Sequence, residues 1–192
     1  MKILQTPRLL LRPWREEDAE DMFEYARDPR VGPNAGWTPH KSLADTRITI
    51  RGFLHDKNCD TRAVVLKSEN RPIGSIGLHR RSPRRLRRGR EEREIGYVLN
   101  PAYWGHGYIP EAVNAVLYHA LFELGVDVVW CGHYDFNDNS RRVIEKCGFS
   151  FVFRREEMLY HMDDRFCYAC YYAMDRRHYR AMHPEQFPDA PL

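Results

Sequence analysis

The sequence predicts an α/β fold built around one mixed sheet, and three observations lead to this prediction. Strand-like and helix-like segments alternate in the order β-α-α-β-β-β-α-β-α-β-β, which gives about seven strands and about four helices. One strand is followed by a glycine turn and a strongly amphipathic helix, the order in which proteins aim backbone N–H groups at a phosphate. The 192 residues show neither a repeat nor a linker, so we expect one domain over residues 1–192.

Local signals place the elements along the chain. Asp18 and Glu20 put negative charge at the start of a helix that begins near Glu16. The polar residues 68–71 separate two strands, and Gly148 suits the position after the end of a helix. The predicted elements are strand 9–12, a helix from Glu16, helix 42–55, strands 61–67, 72–78 and 94–99, helix 109–124, strand 127–132, helix 139–147, and strands 150–155 and 166–174.

The turn before the helix at 109–124 is the most informative segment. Gly105 and Gly107 allow positive φ angles and let the backbone approach an anion closely. Pro110 suits the first turn of the helix that follows. The chain lacks Gly-x-Gly-x-x-Gly and Gly-Lys-Ser/Thr at this turn, which disfavours a dinucleotide site and a P-loop. The turn therefore predicts a site for a phosphorylated ligand, with a simple tight turn as the alternative.

Three separated segments point to one family. They are residues 94–112, residues 137–149 with the pattern Asn-x-x-Ser…Glu-Lys-x-Gly-Phe, and residues 6–21 at the amino end. Together they resemble the GNAT N-acetyltransferase superfamily, in the branch that includes the ribosomal-protein N-terminal (alanine) acetyltransferases. The resemblance implies a GNAT fold, in which two parallel strands of the central sheet splay apart and form the acetyl-coenzyme A cleft.

The resemblance also implies how acetyl-coenzyme A, as co-substrate, is held. Backbone amides of the glycine turn would bind the pyrophosphate, and the strand before the turn would carry the pantetheine arm. Asn137 would bind the cofactor from across the splay. The implied cofactor-binding residues are Tyr97, Val98, Leu99, Gly105, His106, Gly107, Tyr108, Ile109 and Asn137.

Transfer to an amine requires a base, an oxyanion donor and an acid for the leaving thiolate. We expect Glu94 to act as the base through water, or else to be a structural carboxylate paired with an arginine. A backbone N–H near Val98 or Leu99 could bind the oxyanion. In the family resemblance Ser140 protonates or positions the thiol, and its alternative is a helix N-terminal hydroxyl.

Three positions depart from the superfamily pattern, and one of them, Trp104 in place of Arg or Gln, is common in this branch. Ile109 stands where the superfamily often has Gly or Ala, and Ile144 stands where it often has a tyrosine acid. Catalysis would then depend on Ser140 or on another group such as His133 or Tyr134. Further candidates with weaker support are His79 and His106.

Residues 80–93 contain eight arginines in fourteen positions, although the whole chain carries a net charge of only +3. This arginine segment is either a solvated connection between two strands or a binding element for an acidic protein or RNA. The five cysteines form no metal or disulfide pattern, and Cys167 and Cys170 would point to opposite faces of a strand, so we expect no metal.

No apolar run approaches the about 20 residues that span a bilayer, and residues 1–7 contain no apolar signal core. We therefore expect a soluble, cytoplasmic protein without a membrane partner. The predicted function is an acetyl-coenzyme A-dependent N-acetyltransferase that acts on a protein N-terminus or a small-molecule amine. The alternative is a non-catalytic acyl-coenzyme A-binding or RNA- or ribosome-contacting module of the same fold.

Overall fold

A computed structural model of the chain describes residues 1–84, 89–159 and 164–187. The strands are β1 Leu4–Gln5, β2 Leu9–Pro13, β3 Cys59–Leu66, β4 Arg71–His79, β5 Glu92–Leu99, β6 Val128–Tyr134, β7 Ser150–Leu159 and β8 Arg165–Asp175. They form one eight-stranded sheet in the spatial order β1-β2-β3-β4-β5-β6-β8-β7. Among the strands of these described residues, the pair β5 and β6 is parallel and every other neighbouring pair is antiparallel. The sheet is therefore mixed, as the sequence predicts.

The helices cover both faces of this sheet. They are α1 Ala19–Ala26, α2 Leu43–His55, α3 Tyr108–Tyr118, α4 Asp138–Lys146 and α5 Arg176–Met182, and a π-helical turn His119–Glu123 continues α3. Neighbouring strand residues point to opposite faces, so Val65 packs with Tyr25 and Ile50 of α1 and α2, while Val64 belongs to the core that contains Leu117 of α3. The central sheet thus separates an α1–α2 layer from an α3–α4 layer.

Comparison with the sequence prediction shows all seven predicted strands and four predicted helices in the predicted order. Two elements were missed, β1 and α5. β1 is only two residues long, too short to show an alternating pattern. The seven residues of α5 include three arginines and no apolar repeat, and its start depends on the Asp175 side chain, which accepts a hydrogen bond from the backbone N–H of His178 at 2.8 Å.

The parallel pair β5 and β6 comes apart before either strand ends. Its ladder runs from Glu92 opposite Val128 to Ile95 opposite Cys131 and then stops. β5 continues to Leu99 and remains paired with β4 along that stretch, while β6 continues beside β8. The carboxyl halves of β5 and β6 therefore splay, which opens a gap in the middle of the sheet directly before the glycine turn.

Candidate active site

A cleft of about 1220 Å³ occupies the gap between β5 and β6. It extends from the glycine turn, where Gly107 lines it, to the sheet face under α1 and α2, where Phe53 and Thr61 line it. Every site residue that the sequence singles out lies on its wall, with the exception of His106. The fold therefore brings together residues that are distant in the sequence, such as Glu94 and Ser140, which are 46 positions apart.

The glycine turn has the backbone shape that its sequence predicts. Gly105 and Gly107 have φ angles of 82° and 77°, and Gly107 is the residue that precedes α3. No side chain caps this helix start. Within the described residues, the backbone N–H groups from Gly105 to Ile109 have no hydrogen-bond acceptor. They add to the partial positive charge of the α3 amino end, so the turn is suited to bind an anion.

Arg8 and Glu111 fasten the turn to the amino-terminal segment. The Glu111 carboxylate accepts hydrogen bonds from the Arg8 backbone N–H at 2.9 Å and from Arg8 Nε at 2.6 Å. Arg8 Nη1 donates to the His106 carbonyl at 2.9 Å, and the guanidinium lies 4.5 Å from the centre of the Tyr108 ring. Burial acts to raise the pKa of Glu111, but hydrogen bonds from Thr6 and Arg8 outweigh it and lower that pKa.

Sequence reasoning missed Arg8 as a residue of the site. Its guanidinium is 3.7 Å from the position that a Cβ on Gly107 would occupy, so it places a positive charge beside the anion-binding turn. Arg142 and Lys146 of α4 line the same cleft and were also missed. The signal for Arg8 was its position in the amino-terminal motif, but only the fold brings it beside the turn.

Asn137 and Ser140 have different structural roles at the start of α4. Asn137 Oδ1 accepts from the backbone N–H of Ser140 at 3.0 Å, so Asn137 caps the helix. Asn137 Nδ2 donates to the carbonyl of Asn34 at 2.8 Å, which ties α4 to the loop after α1. Ser140 therefore lies in the first turn of α4, and the residue whose side chain caps the helix is Asn137.

The Ser140 hydroxyl instead faces the carboxyl half of β5. Its Oγ lies 2.9 Å from the phenol oxygen of Tyr97, which also lies 3.2 Å from the Ser140 carbonyl oxygen. Burial raises the pKa of Tyr97 well above its ordinary value, so this phenol stays protonated. Tyr97 and Ser140 thus form a pair of hydroxyl groups at the gap, one from each side of the splay.

Glu94 lies on the opposite face of β5 from Tyr97 and is held by an arginine. Arg81 Nε and Nη2 donate to its two carboxylate oxygens at 2.9 Å and 3.0 Å. The arginine-paired alternative for Glu94 is therefore present, and the role of Glu94 as a base stays a prediction.

His79 lies beside Glu94 on this face of the sheet. Its Nε2 is 3.0 Å from the position that a Cβ on Gly77 would occupy and 3.4 Å from the corresponding position on Gly96. Burial, and then the charge of Arg81, lower the pKa of His79 to about 4.

Strand alternation selects between the two predicted oxyanion donors. The Asn100 N–H donates to the Ile73 carbonyl of β4 at 2.8 Å. Alternate residues of a strand direct their N–H groups to the same side, so the Val98 N–H points to β4 as well. The Leu99 N–H points away from β4, toward the gap. Leu99, and not Val98, is therefore placed to donate a hydrogen bond into the cleft.

The departures at Ile109 and Ile144 are both packed in the main core. Ile109 is 5% exposed and belongs to that core, although it also lines the cleft. Ile144 is fully buried in the same core and offers no acid. His133 is tied to the Tyr172 phenol at 3.3 Å, and His106 Nδ1 lies 2.9 Å from the Trp104 carbonyl oxygen. Among the alternative candidates, His79, His133 and Tyr134 line the cleft, whereas His106 does not.

Parts of the other sequence predictions fall outside the described residues. In the arginine segment, residues 85–88 are outside them, whereas Arg81 and Arg84 are described. All five cysteines are free, and the described residues contain no group of three His, Cys, Asp or Glu side chains arranged to hold a metal. None of the helices in residues 1–84, 89–159 and 164–187 is long and apolar enough to cross a membrane.

Comparison with known proteins gives consistent matches. The family model described as "Acetyltransferase (GNAT) domain" matches residues 8–150. The "Uncharacterized N-acetyltransferase YoaA" of Bacillus subtilis is 27% identical over 150 residues, which covers 77% of this chain and 82% of that protein. A solved GNAT-family acetyltransferase from Bacillus anthracis is 27% identical, with a TM-score of 0.80 over 92% of this chain and 99% of that chain.

A further solved structure shows likeness of fold alone. It is a spermidine N-acetyltransferase from Vibrio cholerae in complex with CoA and spermine. Its identity to this chain is 16%, with a TM-score of 0.74 over 91% of this chain and 99% of that chain.

Proposed function

Because the chain belongs to the GNAT acetyltransferase family, as its match to the family model over residues 8–150 shows, we propose that it transfers an acetyl group from acetyl-coenzyme A to an amine. The amine is that of a protein N-terminus or of a small molecule. The observation that carries the proposal is the row of N–H groups without acceptors from Gly105 to Ile109, which opens onto the gap between β5 and β6. We further propose that residues 1–192 form one catalytic domain.

The glycine turn would bind the pyrophosphate of acetyl-coenzyme A. Its N–H groups and the α3 amino end supply donors, and Arg8 supplies a positive charge beside them. Tyr97, Val98 and Leu99 would guide the pantetheine arm along the splayed half of β5, and this stretch of β5 has no partner on the β6 side. The thioester would then lie in the gap, accessible from both faces of the sheet.

The acceptor amine would approach from the α1–α2 face, where Glu94 lies. Glu94 would accept the ammonium proton through water, and the Leu99 N–H would donate to the oxyanion that forms when nitrogen attacks the carbonyl carbon. Arg81 holds the Glu94 carboxylate in place, so Glu94 forms an ion pair with a guanidinium before the acceptor binds. The N–C bond forms on this face, the C–S bond then breaks, and the second nitrogen proton, which is released as the amide forms, balances the proton that the thiolate takes up.

Ser140 would donate the proton that the departing thiolate needs. Its hydroxyl lies on the α4 side of the gap, and Tyr97 stands 2.9 Å away as a protonated phenol that can replace the proton. The two hydroxyl groups would therefore act as the acid, which the buried side chain of Ile144 cannot do. Asn137 would orient α4 through its helix cap and its bond to Asn34.

Release of the coenzyme A thiol tests this proposal, measured with protein N-terminal peptides, polyamines, amino acids and aminoglycosides as acceptors. We expect Ser140→Ala to lower kcat by at least about tenfold while leaving the Kd of acetyl-coenzyme A nearly unchanged. Tyr97→Phe should lower kcat in the same direction but less. The matched control is Ser150→Ala, since Ser150 lies on β7 and contacts His178 outside the cleft. Equal kcat values for all three variants would remove Ser140 and Tyr97 from the reaction.

The second candidate function is a module of the same fold that binds acyl-coenzyme A, RNA or the ribosome without turnover. The buried Ile144 at the usual acid position favours it. Acetyl-coenzyme A binding without thiol release for any acceptor would support this candidate and overturn the proposed transfer.

A further inference from the structure

The acceptor side of the cleft contains two ion pairs that present their arginines outward. Arg81 pairs with Glu94, and their side chains are 62% and 13% exposed. Arg155 pairs with Glu157 at 2.6 Å, and their side chains are 52% and 24% exposed. In both pairs the carboxylate is turned inward, so a molecule that enters the cleft meets guanidinium groups first.

The two arginines lie at one corner of the cleft, which we call the arginine corner (Arg81 and Arg155). Arg155 Nη1 donates to the carbonyl of Pro83 at 2.9 Å, and Pro83 is two residues from Arg81 in the chain. Tyr171 contacts both members of the second pair: it donates to Glu157 at 2.6 Å, and Arg155 Nη2 lies 3.4 Å from its phenol oxygen. Arg81, Pro83, Arg155 and Tyr171 all line the cleft, so the corner belongs to its wall.

The balance of charge in the cleft as a whole also favours a negative ligand. Among the described residues that line the whole cleft, Glu94 and Glu157 are the only carboxylates, against five arginine and lysine side chains, of which Arg142 and Lys146 lie on α4. The Arg81 Nε and Nη2 groups are used by Glu94, whereas Nη1 has no acceptor among the residues that the structure describes. A guanidinium edge that remains available in a cleft is suited to a carboxylate, because the two groups match in geometry and charge.

We propose that the amine acceptor carries a carboxylate, and that the arginine corner binds this carboxylate while the amine reaches the gap. The acceptor class is therefore an amino acid, or a peptide with an acidic side chain near its amino end. This inference rests on the proposed acetyl transfer and specifies its acceptor. A polyamine would bring positive charge to the same corner and would bind more weakly.

The test compares acceptors that differ in one group. An amino acid is paired with its amide, and a peptide with Glu at the second position is paired with peptides that have Gln or Lys there. Thiol release gives KM and kcat for each, at low and high salt. We expect the acids to have KM values about tenfold below those of their amides, with the difference shrinking at high salt.

Arg155→Gln is the informative variant, because Arg155 does not hold the candidate base Glu94. It should remove the preference for the acid by raising KM for acids about tenfold, while KM for amides and the Kd of acetyl-coenzyme A stay unchanged. Arg155→Glu should reverse the preference toward the Lys peptide. Arg154→Gln is the matched control, since Arg154 is its neighbour on β7 but lies over the Tyr168 ring at 4.9 Å and does not line the cleft.

The outcomes distinguish the inference about the carboxylate of the acceptor from the acetyl transfer on which it rests. Turnover with equal KM for acids and amides, or an Arg155→Gln variant that keeps the preference, overturns the inference and leaves the acetyl transfer intact. Absence of turnover with every acceptor overturns both. Thermal unfolding of each variant shows whether a raised KM comes from misfolding, and the Arg155→Glu reversal cannot arise from a loss of stability.

Discussion

Gly107 offers the sharpest test of the anion-binding turn. Its φ angle is 77°, a region that β-branched residues avoid, so Gly107→Val should lower the free energy of unfolding by about 1–3 kcal/mol through backbone strain. The nearest atom to a Cβ at this position is Arg8 Nη2 at 3.7 Å, so steric overlap adds little to this cost. The larger effect should be on the affinity for acetyl-coenzyme A, because the N–H groups of the turn would no longer point to one anion.

The size of that effect follows from the hydrogen bonds. Each bond from a backbone N–H to a charged phosphate oxygen contributes about 1.5 kcal/mol or more, so loss of two weakens binding by at least about 100-fold. In the parent protein, acetyl-coenzyme A at 100 times its Kd should raise the free energy of unfolding by about 2.7 kcal/mol. Urea unfolding with and without the ligand measures this gain, and in Gly107→Val at the same ligand concentration it should nearly vanish.

Gly125 supplies the matched control. It has a φ of 72°, and its nearest neighbour to a Cβ is also a guanidinium nitrogen, Arg176 Nη2 at 3.8 Å, but it lies outside the cleft. Gly125→Val should therefore lose similar stability and keep the full gain from acetyl-coenzyme A. If both variants keep that gain, the turn does not bind the pyrophosphate and the reasoning is refuted.

Two further predictions concern stability. Burial lowers the pKa of His79 from 6.5 to about 4, so the unfolded chain binds more protons between these values and the protein loses stability as the pH falls through this window. His79→Gln should remove up to roughly 3 kcal/mol of this loss at pH 4, and a parallel decline in parent and variant would contradict it. Arg12 and Asp18 form a bidentate pair at 2.7 Å with both side chains 8% exposed, so Asp18→Ala should cost about 3–5 kcal/mol in urea unfolding. Glu16→Ala, in the exposed pair with Arg51, is its control and should change little, and equal losses would refute the buried-pair argument.

The sequence predicts best the features that depend on neighbouring residues. The turn at Gly105 and Gly107 was predictable because glycine has few competing reasons to recur before an amphipathic helix. The element order was predictable because periodicity is a local property. The short strand β1 was not, since its two residues are strand only through their pairing with β2.

The chemistry of the site depended on contacts between distant residues. Tyr97 was expected to contribute backbone to the cofactor path, and its pairing with Ser140, 43 residues away, could not be inferred from spacing. The same holds for Arg8, which reaches Glu111 over 103 residues. For Glu94, the sequence allowed an arginine partner but could not identify Arg81, because residues 80–93 contain eight arginines.

The early end of the β5–β6 ladder leaves a short seam in the middle of the sheet. Among the described residues, four ladder pairs, from Glu92 to Ile95, join β5 to β6, and the strands β1 to β5 lie on one side of this seam and β6 to β8 on the other. The Asn137 bond to Asn34 joins the two sides again beyond the end of the ladder, and the main core contains residues from both. A ligand that fills the gap would therefore touch both sides of the sheet, and it would add contacts between them where the ladder supplies none.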